Sequence, residues 1–499
     1  MKIGIDFGTS FSLPAGMIDG HLETLLPGGA YGVPSVFYYD SKSGILIGRA
    51  AENRGNLRPS NVIREVKMEI NQGNIKKFIA DGKTFSKKQI VGHILQEIKS
   101  IALTRIRDKQ LASQEIEGAI ISVPAAFTLR ELNFIRDVAQ ASGEDDGADL
   151  KVLGFIREPV AAAISYFNRE GVRPDADDKK TILVYDLGGG TCDVAIVRAD
   201  KDSPEWYKVI ASDMKRIGGR DWDKLMVELI KTKCRAQNLN VEFTEKELSH
   251  IREIAVRAKH HLSQNDNFFD EVEAGGELYD FAITRAEFER QSSELLKMTM
   301  DMVDKLKREC STKIDFIVCV GGSSNMPQVC SAFEERYPDF PKENIRIYEP
   351  EKAIAFGAAI YAEHFTETSF LRDICKFSYG ARYIENYSKY KDKNRLRIYN
   401  IIYKDAPLPT SGTSDSYSIS DGEANTYIAI YESECADYKY LPEDGTYIGE
   451  IMIKGIEDGR KGDKTLLTMT IDRSGLMHLE AVDERTGKTV HVDIQLEDY

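Results

Sequence analysis

The stretch VYDLGGGTCDVAIV, residues 184–197, has three consecutive glycines between two apolar runs, with an aspartate on either side. Gly188, Gly189 and Gly190 bury no side chain and lose more conformational entropy on folding than other residues. A tight hairpin needs at most two such residues at its turn. The third glycine indicates that something approaches the backbone closely. The stretch therefore predicts two strands joined by a turn that holds a ligand.

Two further segments repeat this run of a strand into glycine. IGIDFGTS (residues 3–10) has an aspartate, a glycine and a threonine at its end, and FIVCVGG (residues 316–322) ends in two glycines. Backbone N–H groups of such loops can bind phosphate, which a Cβ would hold away. Acids in the same loops repel phosphate unless a divalent cation lies between them. The pattern predicts Mg²⁺ held directly or through water by Asp6, Asp186 and Asp193.

Length, charge and cysteine content exclude several classes of protein. A chain of 499 residues is too long for one core and predicts two to four domains. The net charge of -14 argues against nucleic-acid binding. Seven scattered cysteines without a C-x-x-C pair favour a reducing compartment. The chain opens directly on a strand and has no apolar run of about 20 residues. We therefore expect a cytoplasmic protein without a signal peptide or a membrane partner.

Strands alternate with helical patterns over the first part of the chain, which predicts an α/β domain built from two related halves. From about Cys375 onward, short alternating segments such as NTYIAIYES and LLTMTID are separated by turn residues. This pattern is typical of a β sandwich. The predicted domains are residues 1–365 (lobes at about 1–178 and 179–350, closing helix 351–363), a linker at 366–375 and the sandwich at 376–499.

Five segments resemble signature segments of the DnaK-type 70-kilodalton heat-shock chaperones, which share the fold of actin and sugar kinases. These segments are IGIDFGTS, VYDLGGGTCDVAIV, REPVAAAISYF, GGRDWD and VCVGGSSNMPQV. Residues 445–489 resemble part of the family's peptide-binding β domain. The resemblance covers essentially the whole chain. It implies a two-lobed actin-like α/β ATPase domain, followed by an all-β substrate-binding sandwich, in a chaperone that binds and releases unfolded apolar segments as it hydrolyses ATP.

The resemblance also assigns roles to matching residues. Lys67 matches a lysine that orients the attacking water near the γ-phosphate, and Thr9 and Thr191 match hydroxyls that face the phosphates. Glu158 and Asp186 match acids around Mg²⁺ and that water. The implied cofactors are ATP or ADP, Mg²⁺ and K⁺. The implied catalytic residues are Lys67, Glu158, Asp186 and Thr191. The implied nucleotide-binding residues are Gly8, Thr9, Ser10, Gly188, Gly189, Gly190, Thr191, Gly218, Gly219, Lys259, His260, Ser263, Gly321, Gly322, Ser323 and Glu351.

The nucleoside end departs from the family pattern. His260 stands where the family has an arginine that stacks on adenine, and Asn325 replaces another arginine. We therefore expect a weaker nucleotide affinity or a relaxed base preference. A solvated position on a helix is an equally good interpretation of His260. In GGRDWD, Arg220 takes the place of an acid, so contacts with partner proteins do not carry over at this position.

The linker SFLRD resembles the apolar-then-acidic linker that couples the two domains of the family, but Arg372 interrupts its apolar run. The expected coupling residues are Phe370, Leu371 and Asp373. A passive tether is the alternative. The family further implies a J-domain cochaperone and a nucleotide-exchange factor as partners, besides unfolded or extended polypeptide.

Alternating isoleucines in the β domain are candidates for the walls of a peptide channel. Alignment nominates Ile398, Ile419, Ile428 and Ile430, and a place in the sandwich core is an equally good interpretation of each. The sequence ends at VDIQLEDY without the family's helical lid. Fast peptide exchange and weak trapping are therefore expected.

Two other functions remain open. A kinase for a small metabolite would use the same fold but needs a catalytic base beside a substrate pocket, and the sequence identifies none. A nucleotide-sensing adaptor would hold ATP with little turnover, and the altered residues at the nucleoside end favour it.

Overall fold

The computed structural model describes the chain except residues 29, 71–76, 110–114, 144–146, 171–178, 201–204, 385–395 and 494–499. Within the described part, no helix is long and apolar enough to cross a membrane. The described chain divides into two compact units. The first comprises Met1–Ala125 and Asp137–Phe370, and the second comprises Ala126–Arg136 and Leu371–Tyr499. The division after Phe370 falls inside the stretch predicted as a linker.

Strands and helices alternate in the first part of the chain. The strands up to Phe370 are β1 (Lys2–Phe7), β2 (Phe11–Ile18), β3 (His21–Thr24), β4 (Val33–Pro34), β5 (Phe37–Asp40), β6 (Gly44–Ile47), β7 (Val62–Ile63), β8 (Phe78–Ala80), β9 (Lys83–Phe85), β10 (Gly118–Val123), β11 (Val152–Arg157), β12 (Lys180–Leu187), β13 (Cys192–Ala199), β14 (Tyr207–Lys215), β15 (Asn267–Ala274), β16 (Glu277–Thr284), β17 (Phe316–Val320) and β18 (Ile345–Ile347). The helices are α1 (Gly48–Leu57), α2 (Val66–Glu69), α3 (Lys87–Asp108), α4 (Leu129–Gln140), α5 (Glu158–Arg169), α6 (Gly219–Arg235), α7 (Glu245–Leu262), α8 (Arg285–Glu309), α9 (Pro327–Arg336) and α10 (Ala353–His364).

Two sheets of the first unit have the same topology. Their strand orders are β11-β10-β1-β2-β3 and β18-β17-β12-β13-β14. In each sheet the first three strands along the chain pair antiparallel, and the last two add in parallel. The repeat that two short loops predicted therefore extends to whole sheets. Each of the three glycine loops follows a central strand of these sheets, namely β1, β12 or β17.

The last helix of the unit, α10, packs on the first half rather than on the half that precedes it. A Cβ at Gly4 would lie 2.2 Å from the backbone nitrogen of Ala359, and a Cβ at Gly357 would lie 1.7 Å from the carbonyl oxygen of Ala161. Such distances leave no room for a side chain at either position. Glycines and alanines therefore let α10 lie directly against β1 and α5.

The second unit contains two antiparallel sheets. Its strands from Leu371 onward are β19 (Leu371–Arg372), β20 (Ser378–Ile384), β21 (Leu396–Ile402), β22 (Thr410–Tyr417), β23 (Asn425–Ser433), β24 (Lys439–Tyr440), β25 (Thr446–Lys454), β26 (Lys464–Ile471), β27 (Met477–Asp483) and β28 (Thr489–Asp493). The sheet orders are β24-β21-β20-β23-β25 and β22-β26-β27-β28. Buried residues of both sheets, including Ile451 and Leu467, form one apolar cluster. The described residues from Leu371 onward form no α-helix.

The strand β16 ends at Thr284, because the Thr284 side chain caps α8 by accepting a hydrogen bond from the Glu287 N–H at 3.1 Å. The pattern of apolar residues missed β22, whose sequence TSGTSDSY contains no aliphatic residue. Its backbone pairs with β26 along all eight residues, so pairing rather than an apolar face defines this strand.

Candidate functional site

The glycine loops predicted from the sequence meet one another within the first unit. Gly219 N–H donates to the Gly188 carbonyl at 2.9 Å, and Arg220 N–H donates to the Gly189 carbonyl at 2.9 Å. Ser323, which follows the third loop, donates from Oγ to the Gly188 carbonyl at 3.2 Å. The loops after β12 and β17 and the start of α6 are therefore joined around the Gly188 carbonyl.

Close packing within the protein explains several glycines at which the sequence predicted the approach of a ligand. A Cβ at Gly189 would lie 2.3 Å from Ser10 Oγ, in the loop after β1. A Cβ at Gly218 would lie 2.5 Å from the backbone nitrogen of Gly190. Gly321 has a φ of +79°, and its Cβ would lie 2.4 Å from Asp186 Oδ1. These positions are closed by the protein itself. At Gly188 and Gly322, by contrast, a Cβ would meet no atom closer than 3.6 Å.

Acidic side chains gather below these loops. Asp186 and Asp193 face each other across the β12–β13 hairpin, and both are buried. Asp6, at the end of β1, accepts a hydrogen bond from Ser122 Oγ at 2.9 Å. Glu158, the first residue of α5, forms a buried ion pair with Lys67 of α2. The sequence singled out these four acids and the lysine, and the structure brings them together.

Two of the aspartates keep a carboxylate oxygen without a partner. Asp193 Oδ1 accepts from the Ala125 N–H at 2.6 Å, but Asp193 Oδ2 and Asp186 Oδ1 are buried and have no hydrogen-bond partner among the described atoms. A buried, unsatisfied carboxylate oxygen is costly. Such oxygens indicate a ligand that brings positive charge or hydrogen-bond donors.

Burial and mutual repulsion raise the pKa values of the aspartates. The pKa of Asp6 rises to about 7, because burial and the charge of Glu158 outweigh the attraction of Lys67 and the hydrogen bond from Ser122. Burial and the charge of Glu158 likewise raise the pKa of Asp193 to about 7. The pKa of Asp186 lies well above its usual range, from burial and then from the charges of the neighbouring acids. A cation bound here would relieve this repulsion.

The acids fit a hydrated Mg²⁺ better than a fully protein-bound ion. In the described residues, no three His, Cys, Asp or Glu side chains are arranged to ligate one metal directly. Mg²⁺ usually keeps several waters and binds one or two carboxylates together with phosphate oxygens. The two unpartnered oxygens of Asp186 and Asp193 suit such an ion.

The predicted nucleoside-binding residues Lys259 and His260 lie on α7, and Ser263 directly follows its last residue. Lys259 is buried, donates to the Gly219 carbonyl at 3.2 Å and pairs with Asp223 Oδ1 at 2.7 Å. Ser263 donates back to the Lys259 carbonyl at 3.0 Å. The family resemblance assigns no role to Asp223, although it lies in GGRDWD, four residues after Gly219 on the same face of α6.

His260 and Asn325, the two residues that depart from the family pattern at the nucleoside end, have different surroundings. His260 is exposed, but partial desolvation and then the charge of Lys259 lower its pKa, so its ring is mostly neutral at pH 7, and the charges of Asp223 and Glu351 oppose this shift only in part. Asn325 donates from Nδ2 to the Gly322 carbonyl at 3.2 Å, within its own turn. Neither residue supplies the positive charge of an arginine.

Comparison with known proteins agrees with the family resemblance of the five sequence segments. The family model described as Hsp70 protein matches residues 68–498. The chain belongs to the Hsp70 family. The resemblance seen in the sequence is therefore confirmed.

Individual Hsp70 relatives align along nearly the whole chain. A ribosome-associated molecular chaperone of Eremothecium gossypii is 27% identical over 533 residues, which covers 99% of this chain and 81% of that protein. A ribosome-associated molecular chaperone of Zygosaccharomyces rouxii is also 27% identical, over 534 residues, which covers 99% of this chain and 81% of that protein. A heat shock 70 kDa protein of Emericella nidulans is 27% identical over 526 residues, or 99% of this chain and 77% of that protein.

The residue that ends the first unit, Phe370, belongs to the predicted Hsp70 linker. Its ring is buried and lies parallel to the His364 ring, with centroids 4.5 Å apart. The N–H groups of Trp206 and Tyr207 donate to the carbonyls of Ser369 (2.7 Å) and Phe370 (3.1 Å). The start of the linker is therefore bonded like an added strand and held by aromatic packing. Leu371 and Asp373 belong to the second unit.

Trp206 offers a test of this packing. Its ring lies 5.7 Å from the Phe370 ring, and the chain has only two tryptophans. In a Trp222→Phe background, Phe370→Ala should shift the Trp206 emission to longer wavelength, because the indole loses an aromatic neighbour and gains water. Phe269→Ala, at a position 73% exposed, should leave the emission unchanged. An unshifted spectrum in Phe370→Ala would refute the assigned packing.

The four nominated isoleucines have different environments. Ile428 and Ile430 lie on one face of β23 and belong to the apolar cluster shared by the two sheets. Ile398 is buried in a separate cluster with Ala429 and Tyr431. Ile419 lies in the loop after β22 and is 37% exposed. Burial in the sandwich core thus describes Ile428 and Ile430, and contact of any of the four with peptide stays a prediction.

Proposed function

We propose that this Hsp70-family protein is an ATP-dependent molecular chaperone whose first unit binds and hydrolyses ATP. The single observation that carries the ATPase proposal is the buried acid cluster with two unpartnered oxygens, which lies beside Lys67 and close to the joined glycine loops after β12 and β17. A triphosphate and its metal ion bring the charges and donors that this arrangement lacks.

We propose that the site accelerates hydrolysis mainly by positioning the phosphates and the attacking water. Backbone N–H groups of the glycine loops and the hydroxyls of Thr9 and Thr191 hold the phosphates. Lys67 orients the attacking water, and Glu158 holds the lysine in place through their buried ion pair. When bound, Mg²⁺ neutralises phosphate charge. No covalent nucleophile is needed, because phosphoryl transfer depends mainly on alignment and charge stabilisation.

Asp193→Asn tests the proposed metal site. The substitution keeps the size of the side chain and an oxygen that can accept from the Ala125 N–H, but it removes the free charged oxygen. We expect a loss of about 10- to 100-fold in Mg²⁺ affinity, as for other groups that support a bound metal. Thermal stability without Mg²⁺ should be equal or higher, because repulsion among the acids falls. The measurement is ATP affinity by calorimetry across a Mg²⁺ titration.

Asp280→Asn, at an exposed position of the same unit, is the matched control and should behave like the wild-type protein. If Asp193→Asn keeps the full Mg²⁺ dependence of ATP binding, the metal does not bind at these aspartates.

For the second unit we propose binding of extended apolar polypeptide. Main-chain hydrogen bonds with one or two apolar pockets would give loose sequence specificity. Membership of the Hsp70 family supports this proposal, and the two antiparallel sheets supply a suitable β framework. A J-domain cochaperone and a nucleotide-exchange factor are also proposed as partners, and only membership of the Hsp70 family supports them.

A nucleotide-sensing adaptor is the second candidate function. His260 is mostly neutral at pH 7 and Asn325 bonds within its own turn, so both arginine charges of the family pattern are missing near the nucleoside. Stable ATP binding without phosphate release would favour the adaptor over the ATPase.

A further inference from the structure

An ion pair joins the two halves of the first unit at the phosphate end of the site. Arg220 Nη1, at the start of α6, lies 3.2 Å from Glu65 Oε2 in the first half. The Arg220 side chain is 19% exposed and the Glu65 side chain 42%. The family resemblance of GGRDWD implies only that Arg220 takes the place of an acid, and two acids at these positions would repel each other. In this chain the opposite charges of Arg220 and Glu65 attract each other.

The main chain of Arg220 belongs to the phosphate loops. Its N–H donates to the Gly189 carbonyl at 2.9 Å, and its neighbour Gly219 donates to Gly188. The position of the guanidinium group is therefore tied to the turn that we propose holds the phosphates.

Glu65 lies two residues before Lys67, the lysine that we propose orients the water. It is the residue before α2, which carries Lys67, and its φ and ψ of 58° and 31° place it in the left-handed region. Such a conformation is unfavourable for a residue with a side chain and persists where surrounding contacts hold it. The pair with Arg220 is one such contact, and the Glu65 carbonyl also accepts from the Met68 N–H at 2.9 Å.

We propose that Arg220 and Glu65 act as positioning residues, which set the place of Lys67 relative to the phosphate turn across the two halves. The chain of contacts runs from Gly189 through Arg220 and Glu65 to α2. Neither side chain needs to touch the nucleotide. This inference rests on the proposed ATPase function, since it concerns the alignment of Lys67 for hydrolysis.

The test is a double-mutant cycle with Arg220→Gln, Glu65→Gln and both together. Each single variant should lower kcat for ATP hydrolysis about 10-fold, since small misplacements of a catalytic group are costly, and should leave KM within about 2-fold. The double variant should lose no more than either single variant, because the pair acts as one unit. The charge exchange Arg220→Glu with Glu65→Arg should recover part of the lost kcat.

A second measurement separates this inference from the proposed function. Amide hydrogen exchange in residues 62–69, without nucleotide, should become faster in Arg220→Gln and in Glu65→Gln. Arg49→Gln removes a matched Arg–Glu pair (2.6 Å to Glu52) from α1 and should change neither exchange in 62–69 nor kcat. Failure of the wild-type protein to hydrolyse ATP would overturn the proposed function, and the exchange data would still decide the inference. Unchanged exchange in both variants, or losses in kcat that multiply in the double variant, would overturn the inference.

Discussion

Lys67→Ala should reduce kcat for ATP hydrolysis by about 100- to 1000-fold, the usual effect of removing one group that stabilises or aligns a transition state. Lys67 is 2% exposed, lies beside four acids and is paired with Glu158. Its loss removes the group proposed to orient the water. Phosphate release with saturating ATP and Mg²⁺ measures the effect, and nucleotide binding by calorimetry shows whether the site still fills.

The same substitution also leaves Glu158 buried without its partner, which typically destabilises a protein by about 3–5 kcal/mol. A double variant, Lys67→Met with Glu158→Gln, removes both charges and should recover much of that stability while remaining inactive. Lys77→Ala, at an exposed position of the same half, should keep full activity. Activity within a few-fold of wild type in Lys67→Ala would contradict the assigned role.

Gly188→Ala should abolish most nucleotide binding without harming the fold. Its Cβ would come no closer than 3.6 Å to its nearest neighbour in the protein, the Thr191 carbonyl oxygen, which is an ordinary contact. If the phosphates approach this turn as proposed, the added methyl group occupies their space. We expect ATP affinity to fall about 100-fold, with a melting temperature within about 2 °C of wild type.

Gly218→Ala provides the contrast, because its Cβ would lie 2.5 Å from the Gly190 backbone nitrogen. It should lower the melting temperature as well as ATP affinity. Gly28→Ala meets no atom within 4 Å, lies outside the site and should change neither. Normal ATP affinity in a folded Gly188→Ala protein would show that the phosphates do not approach this turn.

The sequence indicated the residues of the candidate site better than the contacts between them. Glycine at the end of a strand is a local signal, and in two of the three loops an aspartate stands two residues before it, so the loops and the aspartates could be found one at a time. Their meeting could not, because it depends on hydrogen bonds such as Gly219 to Gly188 between distant parts of the chain. The same applies to Ser122 on Asp6 and to the Arg220–Glu65 pair.

In the second unit, the alternation of apolar and polar residues limits what the sequence can predict. Alternating isoleucines in β23 predicted a strand correctly, but alternation does not say which face is the core and which could line a channel. Burial places Ile428 and Ile430 with the residues shared by the two sheets. The polar strand β22 gave no apolar signal, since its role is backbone pairing with β26.

We propose that ATP hydrolysis at the Lys67 site responds to an extended apolar peptide bound elsewhere in the chain. The most direct test is phosphate release from ATP and Mg²⁺ with and without such a peptide, using Lys67→Ala as the blank and Phe370→Ala to probe the linker. We predict that peptide accelerates hydrolysis in the wild-type protein, that Lys67→Ala lowers the rate about 100- to 1000-fold with or without peptide, and that Phe370→Ala weakens the response. A wild-type rate indifferent to every apolar peptide tested would contradict the coupled chaperone.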